Sequence, residues 1–149
     1  MRYIAFDLPG ESTSLAAVNP EERRPEESED EFLHRMAAMI VPSGVSYALV
    51  EPSEIPTKFP RARRIAAGQV VISMPVARGE FLRLGRAARN ALLQGSDTDI
   101  VRGIEQGTDT SSLKAARQAL RDWPTLVASG LAAATTPEEI EALPWPTKP

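Results

Sequence analysis

The sequence predicts an α+β protein, with a small N-terminal β-α-β-β unit over residues 1–74 and an all-helical C-terminal half over residues 75–149. Two changes of pattern along the chain predict this class. The first half contains three short strand-like stretches: Arg2 to Asp7 alternates with a period of 2, and Val45 to Val50 is almost continuously apolar, as in a strand buried on both faces. Beyond Met74-Pro75 the period changes to 3.6, which is typical of amphipathic helices. Two packed subdomains and one α+β domain both fit this pattern.

The first half contains strand signals separated by one clear helix signal. The predicted strands are Arg2 to Asp7, Val45 to Val50 and Gln69 to Met74. The segment from Leu15 to Val18 is typical of either a turn or an extra strand. Ser28 and Glu31 have the spacing of a capping box and start a helix that ends before Pro42. Prolines 52, 56 and 60 then predict an irregular crossing loop.

The second half is predicted from caps and stop signals. A helix opens at Pro75 and runs through Leu93, with Gly95 as its end. Three shorter helices follow: one from residues 97–99 through Glu105, one from Thr110 or Ser111 through Asp122 and one from the Thr136 capping box through Leu143. We expect Trp123-Pro124 to end the second of these. The Trp-Pro tail, residues 144–149, is expected to be extended because its prolines exclude a helix.

Composition excludes most catalytic and metal-binding chemistry. The 149 residues include no cysteine and one histidine, His34, so thiolate nucleophiles, thiolate zinc sites and multi-histidine metal sites are excluded. We therefore expect no enzyme activity, no catalytic residues, no metal and no cofactor; a carboxylate-based hydrolase that uses His34 is an alternative. No stretch approaches the ~20 apolar residues of a membrane span, and residues 1–7 do not have the pattern of a signal peptide, so we expect no membrane association.

Charge is unevenly distributed although the formal net charge is only −3. Residues 20–31 carry seven acids against two bases, and residues 58–89 carry eight bases against Glu80 alone. These two segments are named the acidic block and the basic block. They are predicted either to pair with each other or to steer a partner. Nucleic-acid binding through the basic block is an alternative, but the chain is acidic overall and lacks interleaved aromatic residues, so we do not expect it.

Six residues of the second half are candidates for partner binding. At 100° per residue, arginines 78, 86 and 89 fall on one helix face, where their guanidinium groups suit carboxylates of a partner. Trp123 and Trp145 each precede a proline, and tryptophan is a frequent interface anchor. Each tryptophan has a structural alternative, in which it pins an irregular segment onto the chain's own helices. Pro146 completes the set because a proline-flanked tail is pre-organised for docking.

Five short strings of the second half form a recognisable series: Ala77 to Glu80, Arg86 to Leu93, Gln118 to Pro124, Ala134 to Ile140 and Trp145 to Pro149. These strings resemble the C-terminal region of bacteriophage tail fibre assembly proteins and phage tail assembly chaperones. The resemblance covers about half of the chain. Residues Ser28 to Leu33, Tyr47 to Glu51 and Ile55-Pro56 of the first half resemble other proteins of phage tail gene clusters, although the acidic loop departs from the best-known chaperones.

The resemblance implies a non-enzymatic viral protein that binds the tail fibre or its attachment region. It would act either as a permanent structural component of the virion or as a fibre assembly factor. Its expected partners are tail fibre or other tail proteins, with homo-oligomerisation left open. Its expected location is the host cytoplasm during assembly, or the virion tail.

Overall fold

The computed structural model describes residues 2–10 and 12–147 and confirms the α+β class. In the described part of the first half there are short antiparallel strands, one α-helix and three short 3₁₀ helices, and α-helices form the second half. These residues divide between Ala77 and Arg78 into two compact units, called here the N-terminal unit and the helical unit. Within the described ranges, no helix combines the length and the apolar content that a bilayer span requires.

The N-terminal unit is built on a three-stranded antiparallel sheet. Its strands are β1 (Tyr3–Asp7), β2 (Thr13–Ala16) and β3 (Tyr47–Val50), in the order β2-β1-β3. Because successive side chains of a strand point to opposite faces, β1 serves two cores. Ile4 and Phe6 are buried against α1, whereas Ala5 is buried with Ala48 and Val70 on the other face.

Helix α1 (Glu29–Ile40) covers the first face of this sheet. It begins at the predicted capping box, in which the Glu31 amide donates to the Ser28 hydroxyl and the Ser28 amide donates to the Glu31 carboxylate. The helix buries Phe32, Leu33, Met36 and Ala37. Met39, at helical spacing from this group, is exposed.

A two-stranded hairpin covers the second face. It consists of β4 (Arg63–Ala66) and β5 (Gln69–Ile72), joined by Ala67 and Gly68, both of which have positive φ. Two successive positive φ values are the requirement of a type I′ turn, which matches the twist of a hairpin. Asp7 links the hairpin to the sheet, because its carboxylate accepts from the Ile65 amide at 2.8 Å and from the Thr13 hydroxyl at 2.5 Å.

Over the described residues, the N-terminal unit therefore contains five strands, two more than the predicted β-α-β-β unit. Residues 13–16 form β2, so the extra strand that was one of two alternatives for Leu15 to Val18 is present but begins two residues earlier. Prolines 52, 56 and 60 predict an irregular crossing loop up to the last strand, but the residues after Pro60 include β4. The strand predicted over Gln69 to Met74 ends at Ile72, because Met74 already belongs to α2.

The helical unit consists of an antiparallel helix pair and a short third helix. The pair is α2 (Met74–Glu105), most of which lies in this unit, and α3 (Ser111–Ala133). Helix α4 (Pro137–Glu141) begins at the predicted Thr136 capping box. Arg78 near the start of α2 donates to the carbonyl of Ala134 after α3, and Arg117 of α3 pairs with Asp97 of α2.

Two predicted helix ends in this unit are wrong. Helix α2 continues through Gly95 and the predicted start at residues 97–99, and it ends at Glu105, two residues before Gly107, whose φ is 68°. There the Gly107 amide donates to Ile104 and the Thr108 amide donates to Gly103, the pattern of a Schellman motif. A helical glycine costs only about 1 kcal/mol, which packing along a long helix readily offsets.

Helix α3 likewise passes through Trp123-Pro124, where an end was predicted. Proline lacks the amide that would donate to the carbonyl four residues earlier, which makes it a costly residue inside a helix. The buried side chains on both sides of it, Leu120, Trp123, Val127 and Leu131, all lie on one helical face. Their burial holds α3 continuous across the proline.

The chain after α3 follows the predictions closely. Helix α4 ends at Glu141, slightly before the predicted Leu143. Residues 144–147 of the Trp-Pro tail form no helix. The last two residues of the predicted extended tail, 148 and 149, lie outside the described residues.

Candidate functional site

All six predicted partner-binding residues lie in the helical unit, where the two tryptophans are in contact, but the six residues have three different kinds of surroundings. Trp123 is buried in the core, with 3% of its surface exposed. Trp145 and Pro146 belong to the tail. Arginines 78, 86 and 89 lie along α2.

Trp123 holds the tail in place. Its indole nitrogen donates to the carbonyl of Pro144 at 2.8 Å. Its six-membered ring lies so close to Gly85 of α2 that a Cβ built there would be 2.6 Å from Cζ2 and 2.9 Å from Cζ3. Glycine is therefore required at residue 85 for this approach. For Trp123 the structural alternative is correct, since its ring is not available to a partner.

Trp145 is different because 43% of its surface is exposed. Its ring meets that of Phe81 edge to face at 5.3 Å between centroids, and that of Trp123 at 6.3 Å. The next residue, Pro146, is buried. The Pro144 carbonyl and Pro146 thus anchor the tail on both sides of Trp145 and leave one part of its indole facing solvent.

Two further apolar side chains are exposed on α2 and α3, each one helical turn from a ring that Trp145 contacts. Leu84 is 41% exposed and lies three residues after Phe81, while Leu126 is 65% exposed and lies three residues after Trp123. Residues three apart in a helix are neighbours on its surface. Each leucine therefore lies one turn from a ring that Trp145 contacts. Leu84, Leu126 and Trp145 are called here the apolar patch; the sequence predicted Trp145, but not the exposure of the two leucines.

The three arginines of the predicted face have different surroundings. Arg78 donates from Nη2 to the Ala134 carbonyl at 2.7 Å, and its buried Nε has no hydrogen-bond partner among the described residues. Arg89 donates to the amide oxygen of its neighbour Asn90. Arg86 is exposed.

Arg78 and Arg86 also line a groove of about 440 Å³ between α2 and α3. The other lining residues are apolar: Leu82 of α2 and Pro124, Ala128, Leu131 and Ala132 of α3. The sequence predicted the two arginines of this groove, and Leu82, four residues from each of them, is a further signal on α2. The α3 side of the groove depends on the pairing of two helices that are far apart in sequence.

The acidic block pairs in part within the N-terminal unit. Glu27 accepts two hydrogen bonds from Arg35, at 2.8 and 2.9 Å, and this contact lowers the pKa of the Glu27 carboxyl to about 2. Glu29 and Asp30 pair with Arg2. Both arginines lie outside the basic block, so these three acids have partners other than the one proposed from charge distribution.

His34 lies next to a tyrosine. Its Nδ1 is 2.6 Å from the Tyr47 hydroxyl, and the two rings meet edge to face. A hydrolase based on His34 requires a carboxylate that orients the imidazole, whereas the hydrogen bond recorded for this ring is to a phenol. Over residues 2–10 and 12–147, no group of three or more histidine, cysteine or acidic residues is placed to hold a metal ion.

No protein-family model, curated protein or solved structure matches this chain.

Proposed function

We propose that this chain is a non-enzymatic binding protein of bacteriophage tails, which binds the tail fibre or its attachment region through the helical unit. The observation that carries the binding role is the half-exposed Trp145, held by its own chain in an otherwise anchored tail. The assignment to phage tails rests on the short strings of the second half that resemble tail assembly proteins. The partners, the virion or assembly role and the location in host cytoplasm or virion tail follow from that resemblance.

The geometry of Trp145 supports a binding role through its energetics. Burying an aromatic side chain in an interface is among the largest single contributions to affinity, and tryptophan is enriched at such positions. Much of the cost of binding comes from ordering side chains and loops. The Trp123 to Pro144 hydrogen bond and the buried Pro146 already order this tail, so less of that cost remains when a partner covers Trp145.

The patch around Trp145 suits a protein surface better than a nucleic acid. Leu84 and Leu126 offer only apolar area, which contributes to affinity when a partner excludes water from it. Single-stranded nucleic acid is bound by aromatic rings that stack on its bases, within a groove of basic side chains that follows its phosphates. The apolar patch has one exposed ring and two leucines, so it does not offer the series of stacking rings that single-stranded nucleic acid needs.

The test is a pull-down of the tail proteins encoded in the same genome, with the full chain as bait. We expect capture of a tail fibre or other tail protein, and at least about tenfold weaker capture by Trp145→Ala and Leu126→Glu. Thr147→Ala and Thr125→Glu are the matched controls, since they change exposed neighbours of the same two positions. Circular dichroism of each variant verifies that the helices are retained.

Three results would contradict the proposal: a genome without tail genes, capture that both patch variants retain, or capture that disappears with nuclease treatment. The last result would instead favour the basic block as a nucleic-acid surface, with steep salt dependence. Mass spectrometry of purified virions then separates the two roles. Presence in the particle indicates a structural component, and absence indicates an assembly factor.

A further inference from the structure

We infer that the groove between α2 and α3 is a second binding surface, which takes an acidic amphipathic helix of a partner protein. The inference rests on the proposed function only in taking the partner to be a protein. The surface is separate from the apolar patch, because none of the residues that line the groove belongs to that patch.

The groove floor is apolar, and its α3 side carries small side chains. Ala128 and Ala132 lie four residues apart on α3, and a methyl group is the whole side chain of each. The distance between packed helices depends on the side chains at the contact and falls toward 8 Å when these are small. A partner helix can therefore approach α3 closely while its apolar residues cover the half-buried Leu82.

Two arginines on the α2 side specify the charge of the occupant. Arg78 and Arg86 are eight residues apart on α2, which corresponds to about 12 Å along the helix axis. Carboxylates seven or eight residues apart on a helix that lies along the groove have the same spacing. Arginine is the basic residue best suited to this contact, because its guanidinium donates two parallel hydrogen bonds to a carboxylate.

The two guanidinium groups retain donors for such contacts. The hydrogen bond recorded for Arg78 uses Nη2 only, and Arg86 is exposed. Arg121 of α3 adds a third positive charge, because it lies seven residues before Ala128 and so two turns away on the same face. The nearest acid in sequence, Asp122, is turned 100° from it. Charge complementarity thus favours an acidic partner.

The apolar floor distinguishes a protein helix from nucleic acid. Leucine, alanine and proline side chains present no donors or acceptors to base edges and no aromatic face for stacking. A phosphate backbone across this groove would contact the arginines but leave the floor wet. An amphipathic helix buries the floor and pairs the arginines at once.

The probe is a synthetic helical peptide of about 20 residues with leucines at heptad positions and two glutamates eight residues apart on the flank. The control peptide has glutamines in place of the glutamates. Fluorescence anisotropy measures the binding of each peptide to the full chain at low and at physiological salt, and a DNA duplex of similar size serves as a third probe.

We expect the glutamate peptide to bind at least about tenfold more tightly than the glutamine peptide, with a difference that shrinks as salt is added. Arg86→Gln should weaken binding of the glutamate peptide about tenfold, whereas Arg83→Gln, on the same helix but outside the groove, should not. Ala128→Trp fills the groove and should abolish binding. Ser129→Trp is its control, since it places the same ring on the adjacent, exposed position, which does not line the groove.

Equal binding of the two peptides, no binding at about 1 mM peptide, wild-type binding by Ala128→Trp, or preferential binding of the duplex would each overturn the inference. Self-association of the chain through the groove, seen as a dimer in sedimentation that Ala128→Trp dissociates, would also overturn it in favour of a second copy. None of these results decides the pull-down with Trp145→Ala. The two proposals therefore fail separately.

Discussion

Replacing Gly85 by alanine tests whether the ring of Trp123 packs directly on the backbone of α2. In an exposed helix, the change from glycine to alanine stabilises by about 1 kcal/mol, because glycine loses more backbone entropy on folding. At residue 85 the added Cβ would meet Cη2, Cζ2 and Cζ3 of Trp123, the latter two at 2.6 and 2.9 Å. Ordinary carbon contacts begin near ~3.5 Å, so the ring must move.

The ring has little room to move. Trp123 is 3% exposed and is held by its hydrogen bond to Pro144 and by the rings of Phe81 and Trp145. Overpacking of this kind costs about 1 to 3 kcal/mol, and occasionally more. We take about 3 kcal/mol because the contacted atoms belong to a rigid, enclosed ring. Subtracting the helix gain of about 1 kcal/mol leaves a net destabilisation of about 2 kcal/mol.

Gly95 provides the matched control in the same helix. Nothing lies within 4 Å of a Cβ added there, so Gly95→Ala should stabilise by about 0.5 to 1 kcal/mol. Urea unfolding followed by tryptophan fluorescence reports on the helical unit alone, because both tryptophans of the chain, Trp123 and Trp145, lie in it. With an m value of about 1 to 1.5 kcal/mol/M, the Gly85→Ala midpoint should fall by roughly 1.3 to 2 M urea.

A double-mutant cycle separates the clash from a backbone effect. Trp123→Leu removes the ring atoms that the new Cβ meets, so Gly85→Ala should cost at least about 1 kcal/mol less in that background. The packing described here would be refuted if Gly85→Ala stabilised the protein as Gly95→Ala does, or if its cost were unchanged in the Trp123→Leu background.

Three further predictions concern individual contacts. Asp7→Ala should lower the free energy of unfolding by about 2 kcal/mol, because the partly buried Ile65 amide loses its acceptor. Asp7→Asn, measured beside it by urea unfolding, should recover part of the loss. The contact between Glu27 and Arg35 stabilises fully above the unfolded carboxyl pKa of 4.5 and is lost as pH falls toward about 2. The stability difference between wild type and Glu27→Gln in thermal melts should therefore be constant from about pH 7 to 6 and shrink steadily below pH 4.5. A difference that grows on acidification would contradict this. Pro124→Ala should raise the melting temperature, corresponding to about 1 to 2 kcal/mol, because alanine restores the missing helical hydrogen bond of α3; a lower melting temperature would show that the proline is required for packing.

Signals that act within a few residues predicted the structure well. The capping boxes at Ser28 and Thr136 each require only a side chain and an amide three residues away, and both are present. The alternation of Tyr3 to Asp7 predicted β1, because the position of a residue within a strand decides which face its side chain takes. The α+β class followed from the same local periodicities.

Signals that compete with packing predicted the structure poorly. Gly95 and Pro124 are unfavourable in helices, yet both lie inside one. Each costs a few kcal/mol at most, and the side chains buried along α2 and α3 outweigh that cost. The sequence patterns did not predict strand β4 for a related reason. This strand is stabilised by its pairing with β5 and by the hydrogen bond from the Ile65 amide to Asp7, and its own residues have no strand pattern.

The two Trp-Pro pairs show where sequence and tertiary structure divide the outcome. By itself, the sequence determined the fold class, the two capped helix starts, the lack of cysteine chemistry and the presence of two tryptophans next to prolines. It could not distinguish the tryptophans, because both have the same local pattern. The tertiary structure decided that Trp123 is buried over Gly85 while Trp145 is half exposed, and that Arg78 and Arg86 border an apolar groove. These outcomes depend on which faces of α2 and α3 meet, and that is a property of residues distant in the chain.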